Sequence, residues 1–127
     1  MGAKHINESF CPSCDEKLAR ACRTLNDWFN YVRSFYPEAH ISCSFRDELE
    51  QSKAFEARAS LLKWPESKHN KEPAEALDLF QLMDGKAVFD PLFYASVWDI
   101  TEDEFPDIRW GGLWTRFKDF PHFEVAS

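Results

Sequence analysis

Three polar side chains in the later part of the chain are of the types that hold zinc in enzymes. His69 lies in a polar loop, Asp78 follows nine residues later, and His122 lies near the end of the chain. Two neutral imidazoles and one carboxylate form a three-ligand set that suits catalytic zinc and leaves a fourth position for water. Each histidine is also explained as a hydrogen-bonded loop or strand-end residue, and Asp78 as a turn carboxylate. Spacing alone leaves both explanations open.

Two further carboxylates flank His122. Asp119 lies three residues before it and could reach a metal-bound water that His122 helps to hold. Glu124 lies two residues after it, on the same face of the predicted strand. Glu124 is therefore either a competing base or a hydrogen-bond partner that orients a histidine ligand.

The composition predicts one globular domain over residues 1–127. The chain has 44% hydrophobic residues, with five Trp and twelve Phe, which excludes disordered and low-complexity classes. A net charge of -7 opposes docking on nucleic acid or on an anionic membrane. The first ten residues contain no apolar run of signal-peptide length, and no stretch of the sequence is long and apolar enough to span a membrane. These features predict a cytosolic protein that binds neither nucleic acid nor membrane.

The four cysteines all lie in the first third of the chain: Cys11, Cys14, Cys22 and Cys43. Because no secretion signal is predicted, we expect free thiols. A structural zinc on all four is the alternative, although only CPSC has the tight spacing typical of zinc ribbons. A redox CxxC is disfavoured because no strand is predicted before Cys11.

The apolar spacing predicts three helices. The first covers 13–35, with Ser13 and Glu16 as a capping box, and Pro37 closes it. Asp47 caps a second helix over 48–62. The third begins with a proline in its first turn and covers 91–100.

The predicted strands alternate with these helices. Apolar alternation at Ile41, Cys43 and Phe45 indicates the first strand. Asp84 and Gly85 predict a hairpin turn, and the remaining predicted strands are 77–82, 86–89, 108–110 and 122–125. The fold class is α+β, with a small, largely antiparallel sheet flanked by helices.

Four short segments, in this order, resemble motifs of one enzyme family. SKHN, AEALDL, RWGGLW and DFPHFEV look like the zinc D,D-peptidases and L-alanyl-D-glutamate endopeptidases of the M15 peptidase family, which share a fold with the Hedgehog signalling domain. The family pattern is SxHxxGxAxD early and an acidic residue followed by xPH late. A bacteriophage endolysin branch of this family, with SKHNxxPSxAVD and DxPHFE, is the most similar. The resemblance covers roughly 41–125.

The resemblance implies one zinc ion with three ligands, which are His69, Asp78 and His122. It implies Asp119 as the general base. It also places Arg46, within SCSFRDELEQ, beside a developing oxyanion or a substrate carboxylate, although a surface residue at a helix start is the alternative. Ser67 and Gln51 correspond to positions that bind substrate or brace the loop.

The sequence departs from the family pattern at three places. The interval from His69 to Asp78 is longer than usual and lacks the glycine, with Pro73 standing as in the phage branch. Leu113 occupies the position of an aspartate after the glycine pair. The cysteine-rich start has no counterpart in the motif. None of these departures removes a predicted ligand.

The resemblance implies hydrolysis of an amide bond in peptidoglycan stem peptides, with the bond between L-Ala and D-Glu as the expected target. A monomer that waits in the cytoplasm and reaches the cell wall at host lysis is expected. The alternatives are a D-Ala-D-Ala carboxypeptidase or dipeptidase, and a non-catalytic, zinc-stabilised binding or virion module. Aromatic side chains could line a peptide groove, although core positions explain them as well: Trp64, Trp110, Trp114, Phe117 and Phe120.

Overall fold

The computed structural model describes residues 11–126, so the predictions about a signal peptide and about a strand before Cys11 fall outside the described residues. Within that range the fold is α+β, as predicted. The helices are α1 (Pro12–Leu18), α2 (Arg23–Phe35), α3 (Glu48–Glu56) and α4 (Pro91–Thr101). The strands are β1 (Ala39–Cys43), β2 (Ala76–Met83), β3 (Lys86–Val88), β4 (Ile108–Trp110) and β5 (His122–Val125). Short 3-10 helices cover Lys68–Asn70 and Gly111–Leu113.

The strands form an antiparallel sheet in the order β1-β2-β5-β4, and β3 pairs with β2. The long strand β2 lies between β1 and β5, and its register sets what meets at one point. Asp78 lies opposite Cys43 on one side and opposite His122 on the other. The register therefore brings a carboxylate and an imidazole together from positions far apart in the sequence.

The core forms where α2 packs on the sheet. The apolar side chains of α2 recur three or four residues apart, so they share one face of the helix: Leu25, Trp28, Phe29 and Val32. The Trp28 ring lies 4.9 Å from the ring of Phe123 on β5, measured between centroids. None of the helices in residues 11–126 combines the length and apolarity needed to cross a bilayer.

The prediction of one helix over 13–35 is wrong, because the structure divides it into α1 and α2. At the break, Cys22 donates its backbone N–H to the carbonyl of Ala74 (2.9 Å), and Ala74 donates to Arg20 (2.8 Å). These bonds to a distant loop replace helical ones. The predicted capping box is also wrong, since Cys11 is the N-cap and its sulfur accepts from the backbone of Cys14.

The helix predicted over 48–62 has the expected start but ends early. Asp47 and Glu50 form a capping box at its N-terminus. The helix ends at Glu56. Arg58 has a φ of 61°, and a right-handed helix cannot continue through a residue with positive φ. The chain then turns towards the loop that carries His69.

The hairpin turn, α4, β4 and β5 lie where they were predicted. Asp84 and Gly85 have φ values of 51° and 77°, as the predicted hairpin turn between β2 and β3 requires. Helix α4 starts at Pro91, capped by Asp90, and extends one residue beyond its predicted end. Strands β4 and β5 have the predicted bounds, whereas Phe45 lies outside β1 and the glycine pair begins a 3-10 helix.

One buried hydrogen bond joins α2 to α4 and gives a test of this packing. The indole N–H of Trp28 donates to the hydroxyl of Thr101 (2.9 Å), and both residues are fully buried. Thr101→Val keeps the shape but leaves the indole N–H without an acceptor. We expect the free energy of unfolding, measured in urea, to fall by about 1–3 kcal/mol.

The matched control is Ser96→Ala on the same helix. Thr101 also donates its hydroxyl to the carbonyl of Val97, four residues back (2.7 Å). Ser96 donates in the same way to the carbonyl of Leu92 (2.9 Å), but it lies near solvent and accepts no indole N–H. We expect this change to stay within about 0.5 kcal/mol. Equal losses for both variants would contradict the importance of the buried bond.

Candidate metal centre

Both predicted histidine ligands contact the carboxylate of Asp78. Oδ1 of Asp78 lies 3.2 Å from Nε2 of His69 and 3.2 Å from Nδ1 of His122. The two imidazole rings are edge to face, with centroids 5.1 Å apart. Both histidines are buried, and the Asp78 side chain is 19% exposed. The cluster therefore reaches solvent through its carboxylate.

Local structure explains how His69 arrives there. The loop before β2 makes a 3-10 turn at Lys68–Asn70, and the hydroxyl of Ser67 caps it by accepting from the backbone of His69 (3.1 Å). The side chain of Asn70 completes the capping box by accepting from the backbone of Ser67 (3.0 Å). Ser67 is buried and bonds within the loop. This arrangement matches the bracing alternative for Ser67.

In each imidazole, the nitrogen that does not face Asp78 makes a hydrogen bond to an oxygen atom. Nδ1 of His69 lies 2.7 Å from the carbonyl oxygen of Ser44, to which it donates, so Nε2 faces Asp78. Nε2 of His122 lies 2.8 Å from Oε1 of Glu124, so Nδ1 faces Asp78. An oxygen partner on the far nitrogen fixes the ring orientation of metal-binding histidines and increases their basicity. Glu124 occupies this orienting position.

Sequence reasoning missed two residues that support these contacts. Nζ of Lys68 lies 3.5 Å from Oε2 of Glu124 and also donates to the carbonyl of Val125. Ser44 contributes only its backbone oxygen. The sequence gives no signal for Ser44, because any residue type provides a backbone acceptor. Lys68 is next to His69 in the motif SKHN, but the motif does not indicate which residue Lys68 contacts.

The pKa values of His69, Asp78 and His122 depend on one another's charge. Burial alone would lower the pKa of His69, but the Asp78 carboxylate raises that pKa to about 10. Burial opposes charge on His122 as well, and its hydrogen bonds to Asp78 and Glu124 raise its pKa to about 9. Burial works against ionised Asp78 too, yet the two imidazoles hold its pKa well below the usual range. The site is thus built around a carboxylate anion that needs positive charge beside it.

Asp119 lies at the edge of this cluster. Its Oδ2 is 4.0 Å from Nδ1 of His122, and its side chain is 25% exposed. Burial and the nearby Asp78 carboxylate raise the pKa of Asp119. Its backbone N–H donates to the carbonyl of Gly111 (3.0 Å), and a Cβ on Gly111 would collide with the carbonyl of Asp119. The glycine therefore permits this close approach of the two loops.

Arg46 lies beside Asp78 and is largely buried. One of its terminal nitrogens lies 3.5 Å from Oδ2 of Asp78, and its side chain is only 14% exposed. The other donates to Oε1 of Gln51 (3.0 Å), which also accepts from Asn70 (3.1 Å). Gln51 is fully buried, so it positions Arg46 and has no surface to offer a substrate.

The cluster opens into a cavity of about 560 Å³. Asp119, Arg46 and Glu124 reach it, and two of the five predicted aromatics, Trp114 and Phe117, line its wall. Of the other three, Trp110 is buried in the core, Phe120 packs against the core, and Trp64 is not among the lining residues. Four of the five aromatic residues therefore divide between the two predicted roles, and Trp64 has neither.

The cysteines do not behave as one set. Cys11 and Cys14 form a disulfide, so the expectation of free thiols is wrong for this pair, while Cys22 and Cys43 are free. The CPSC spacing at the start of α1 brings the two Cα atoms within 5.2 Å, which is close enough for the bond. Sγ of Cys43 lies 3.7 Å from Nδ1 of His69. Cys43 is grouped with His69 and Asp78, and Cys11 and Cys14 are grouped with His40, so no group of potential ligands within residues 11–126 contains all four cysteines.

The donor atoms fit a divalent ion. Two overlapping groups have ligand atoms within 4.8 Å of one another, and Asp78 belongs to both: Cys43–His69–Asp78 and Asp78–Asp119–His122. Imidazole nitrogen and carboxylate oxygen are ligands that zinc accepts. Asp78 belongs to both groups, whereas His69 and His122 fall in different ones. Each group on its own is compatible with a metal ion, and the three predicted ligands do not form one group within that distance.

The fold resembles that of a known enzyme. The crystal structure of the L-Ala D-Glu endopeptidase ChiX from Serratia marcescens superposes with a TM-score of 0.77 and 20% sequence identity, covering 92% of this chain and 89% of that one. No protein-family model matches the chain. No curated protein matches it either. The likeness shows a shared α+β fold and confirms the predicted fold class, while membership of the M15 family stays a prediction.

Removal of either histidine tests the predicted ligand set. With the Cys11–Cys14 disulfide kept oxidised, we expect His69→Ala and His122→Ala to retain much less zinc than the unaltered protein, because each loses one of three ligands. Zinc is measured by atomic absorption after dialysis, with circular dichroism to confirm the fold. Glu66→Gln, a carboxylate change in the same cavity wall, is the control and should keep its zinc. Full retention of metal by both histidine variants would refute the ligand set.

Proposed function

We propose that this chain is a zinc-dependent peptidoglycan peptidase that hydrolyses an amide bond of the stem peptide, with L-Ala–D-Glu as the preferred bond. The observation that carries the proposal is that His69 and His122 both contact Asp78 in the wall of a cavity, with Asp119 beside His122. The likeness in fold to an L-Ala D-Glu endopeptidase supports the same reaction class. Fold alone does not determine function, so the argument rests on the site.

His69, Asp78 and His122 would hold the zinc ion. When bound, zinc supplies a Lewis acid that polarises the scissile carbonyl and makes water a better nucleophile. The protein keeps Nε2 of His69 and Nδ1 of His122 directed at the same carboxylate, because Ser44 and Glu124 engage the opposite nitrogens. This preorganisation reduces the rearrangement that loading of the ion requires.

Asp119 is proposed as the general base. Its Oδ2 lies 4.0 Å from Nδ1 of His122, which is beyond hydrogen-bond distance, so the carboxylate can accept a proton from the attacking water. The same carboxyl group then donates that proton to the departing amine, which breaks the C–N bond without a covalent intermediate. Burial and Asp78 raise the pKa of Asp119, which makes it a stronger base than an exposed aspartate.

Arg46 provides fixed positive charge at the reacting carbonyl. Its guanidinium is held by Gln51 and lies beside Asp78, at the cavity wall. A planar cation of this kind stabilises either the developing oxyanion or a carboxylate of the substrate. Arg116 also lines the cavity and offers a second cation that could pair with a carboxylate of a stem peptide.

Asp119→Asn tests the base assignment. We expect the release of new amino groups from purified peptidoglycan to fall about 100- to 10,000-fold, because the amide cannot accept the proton. Zinc content should be unchanged. Glu124→Gln, which keeps an oxygen acceptor for His122, should lose less activity, within about 10- to 100-fold. The exposed Asp99→Asn on α4 is the neutral control.

The contrary outcomes of the same experiment are distinct. Full activity in Asp119→Asn would overturn the base assignment, and a larger loss in Glu124→Gln would transfer that role to Glu124. Mass spectrometry of the products identifies the bond: a new amino terminus on glutamate supports the proposed specificity, whereas release of D-Ala supports the carboxypeptidase alternative. If the unaltered protein binds zinc fully but releases no products, the result would support a non-catalytic module.

A further inference from the structure

A second cluster of metal-binding groups lies away from the proposed active site. Nδ1 of His40 is 3.2 Å from Sγ of Cys11 and 3.5 Å from Sγ of Cys14. The three ligand atoms lie within 4.8 Å of one another. The proposed hydrolysis uses none of these residues.

Two separate elements build this cluster. Cys11 and Cys14 belong to the start of α1, where the backbone N–H of Cys14 donates to the sulfur of Cys11 (3.1 Å). His40 comes from the edge strand β1, and its ring stacks on Phe80 of the neighbouring strand, with centroids 5.5 Å apart. Cys14 is 1% exposed and packs in the hydrophobic core, which fixes the position of the cysteine pair. The imidazole is therefore held towards the sulfurs by packing.

The distances agree with those across a tetrahedral ion. Bonds of about 2.3 Å to sulfur and about 2.0–2.1 Å to nitrogen place the two ligand atoms about 3.6 Å apart. The nitrogen of His40 is already at 3.2 and 3.5 Å from the two sulfurs. Only the disulfide between Cys11 and Cys14 must open. Two thiolates and an imidazole are soft and borderline donors that favour zinc over magnesium or calcium.

We propose that, once the disulfide is reduced, Cys11, Cys14 and His40 bind a second thiophilic divalent ion, with zinc as the natural candidate. Among the described residues the site offers three protein ligands, which leaves one position for solvent. The ion would tie α1 to β1, the strand that leads into Ser44 and Arg46 at the proposed active site. This second site does not depend on the proposed function.

Opening of the disulfide needs a reductant, and a water-soluble phosphine serves without itself binding as a thiol. The phosphine takes an oxygen atom from water and becomes a phosphine oxide, while the two sulfurs gain two electrons and two protons. Binding of the divalent ion then releases the two thiol protons. A disulfide that stays closed cannot bind the ion in this way, so oxidised protein is an internal control.

Cobalt(II) is the probe, because thiolate ligands give it a strong charge-transfer absorption that imidazole and carboxylate ligands do not. We expect the phosphine-treated protein to bind one cobalt ion more than the oxidised protein and to gain this absorption. Cys11→Ser should lose both the extra ion and the absorption. His40→Gln should weaken cobalt binding at this site at least tenfold. Since Cys11 is partly exposed, its variant is less disruptive than a change at buried Cys14.

Controls separate this site from the other one. Cys22→Ser and His69→Ala should keep the thiolate absorption, because neither residue belongs to the cluster. Cys43→Ser should keep it as well, which excludes the free thiol beside His69 as its source. The proposal is overturned if reduction adds no ion, if Cys11→Ser retains the absorption, or if Cys43→Ser abolishes it. The activity on peptidoglycan plays no part in this readout.

Discussion

A single partly buried carboxylate organises the site, and the sheet register puts it there. Asp78 lies opposite His122 in the pairing of β2 with β5, and its Oδ1 contacts both imidazoles at 3.2 Å. An ionised carboxylate removed from water needs positive charge or hydrogen-bond donors beside it. His69, His122 and Arg46 supply them here. A metal ion meets the same electrostatic need, which is why a structure organised around Asp78 is also suited to hold one.

The support around this centre extends outwards in connected layers. Ser44 and Glu124 hold the far nitrogens of the two imidazoles, and Lys68 in turn contacts Glu124. On the other side, buried Gln51 fixes Arg46. Each supporting group limits the motion of the next, so the reactive atoms keep their positions before any substrate arrives. Preorganisation of this kind is a main source of catalytic power in hydrolytic sites.

Local chemical signals account for what the sequence predicted well. The Asp84–Gly85 turn, the proline at the start of α4 and the motif DFPHFEV each act over a few neighbouring residues, and the corresponding elements lie where expected. The break between α1 and α2 depends on Ala74, more than fifty residues away, so no helical pattern could indicate it. The roles of Ser44 and Lys68 likewise arise from tertiary contacts. The disulfide is local, but free thiols were expected because no secretion signal is predicted. The three ligands could be predicted because the resemblance joined motifs that spacing alone did not.

The central claim is that one divalent ion binds where His69, Asp78 and His122 meet. The most direct measurement is a crystal structure of the zinc-loaded protein, with anomalous scattering recorded at the zinc absorption edge. The account predicts a peak about 2.0–2.2 Å from Nε2 of His69, from a carboxylate oxygen of Asp78 and from Nδ1 of His122. A zinc-saturated crystal with no peak between these three side chains would contradict it.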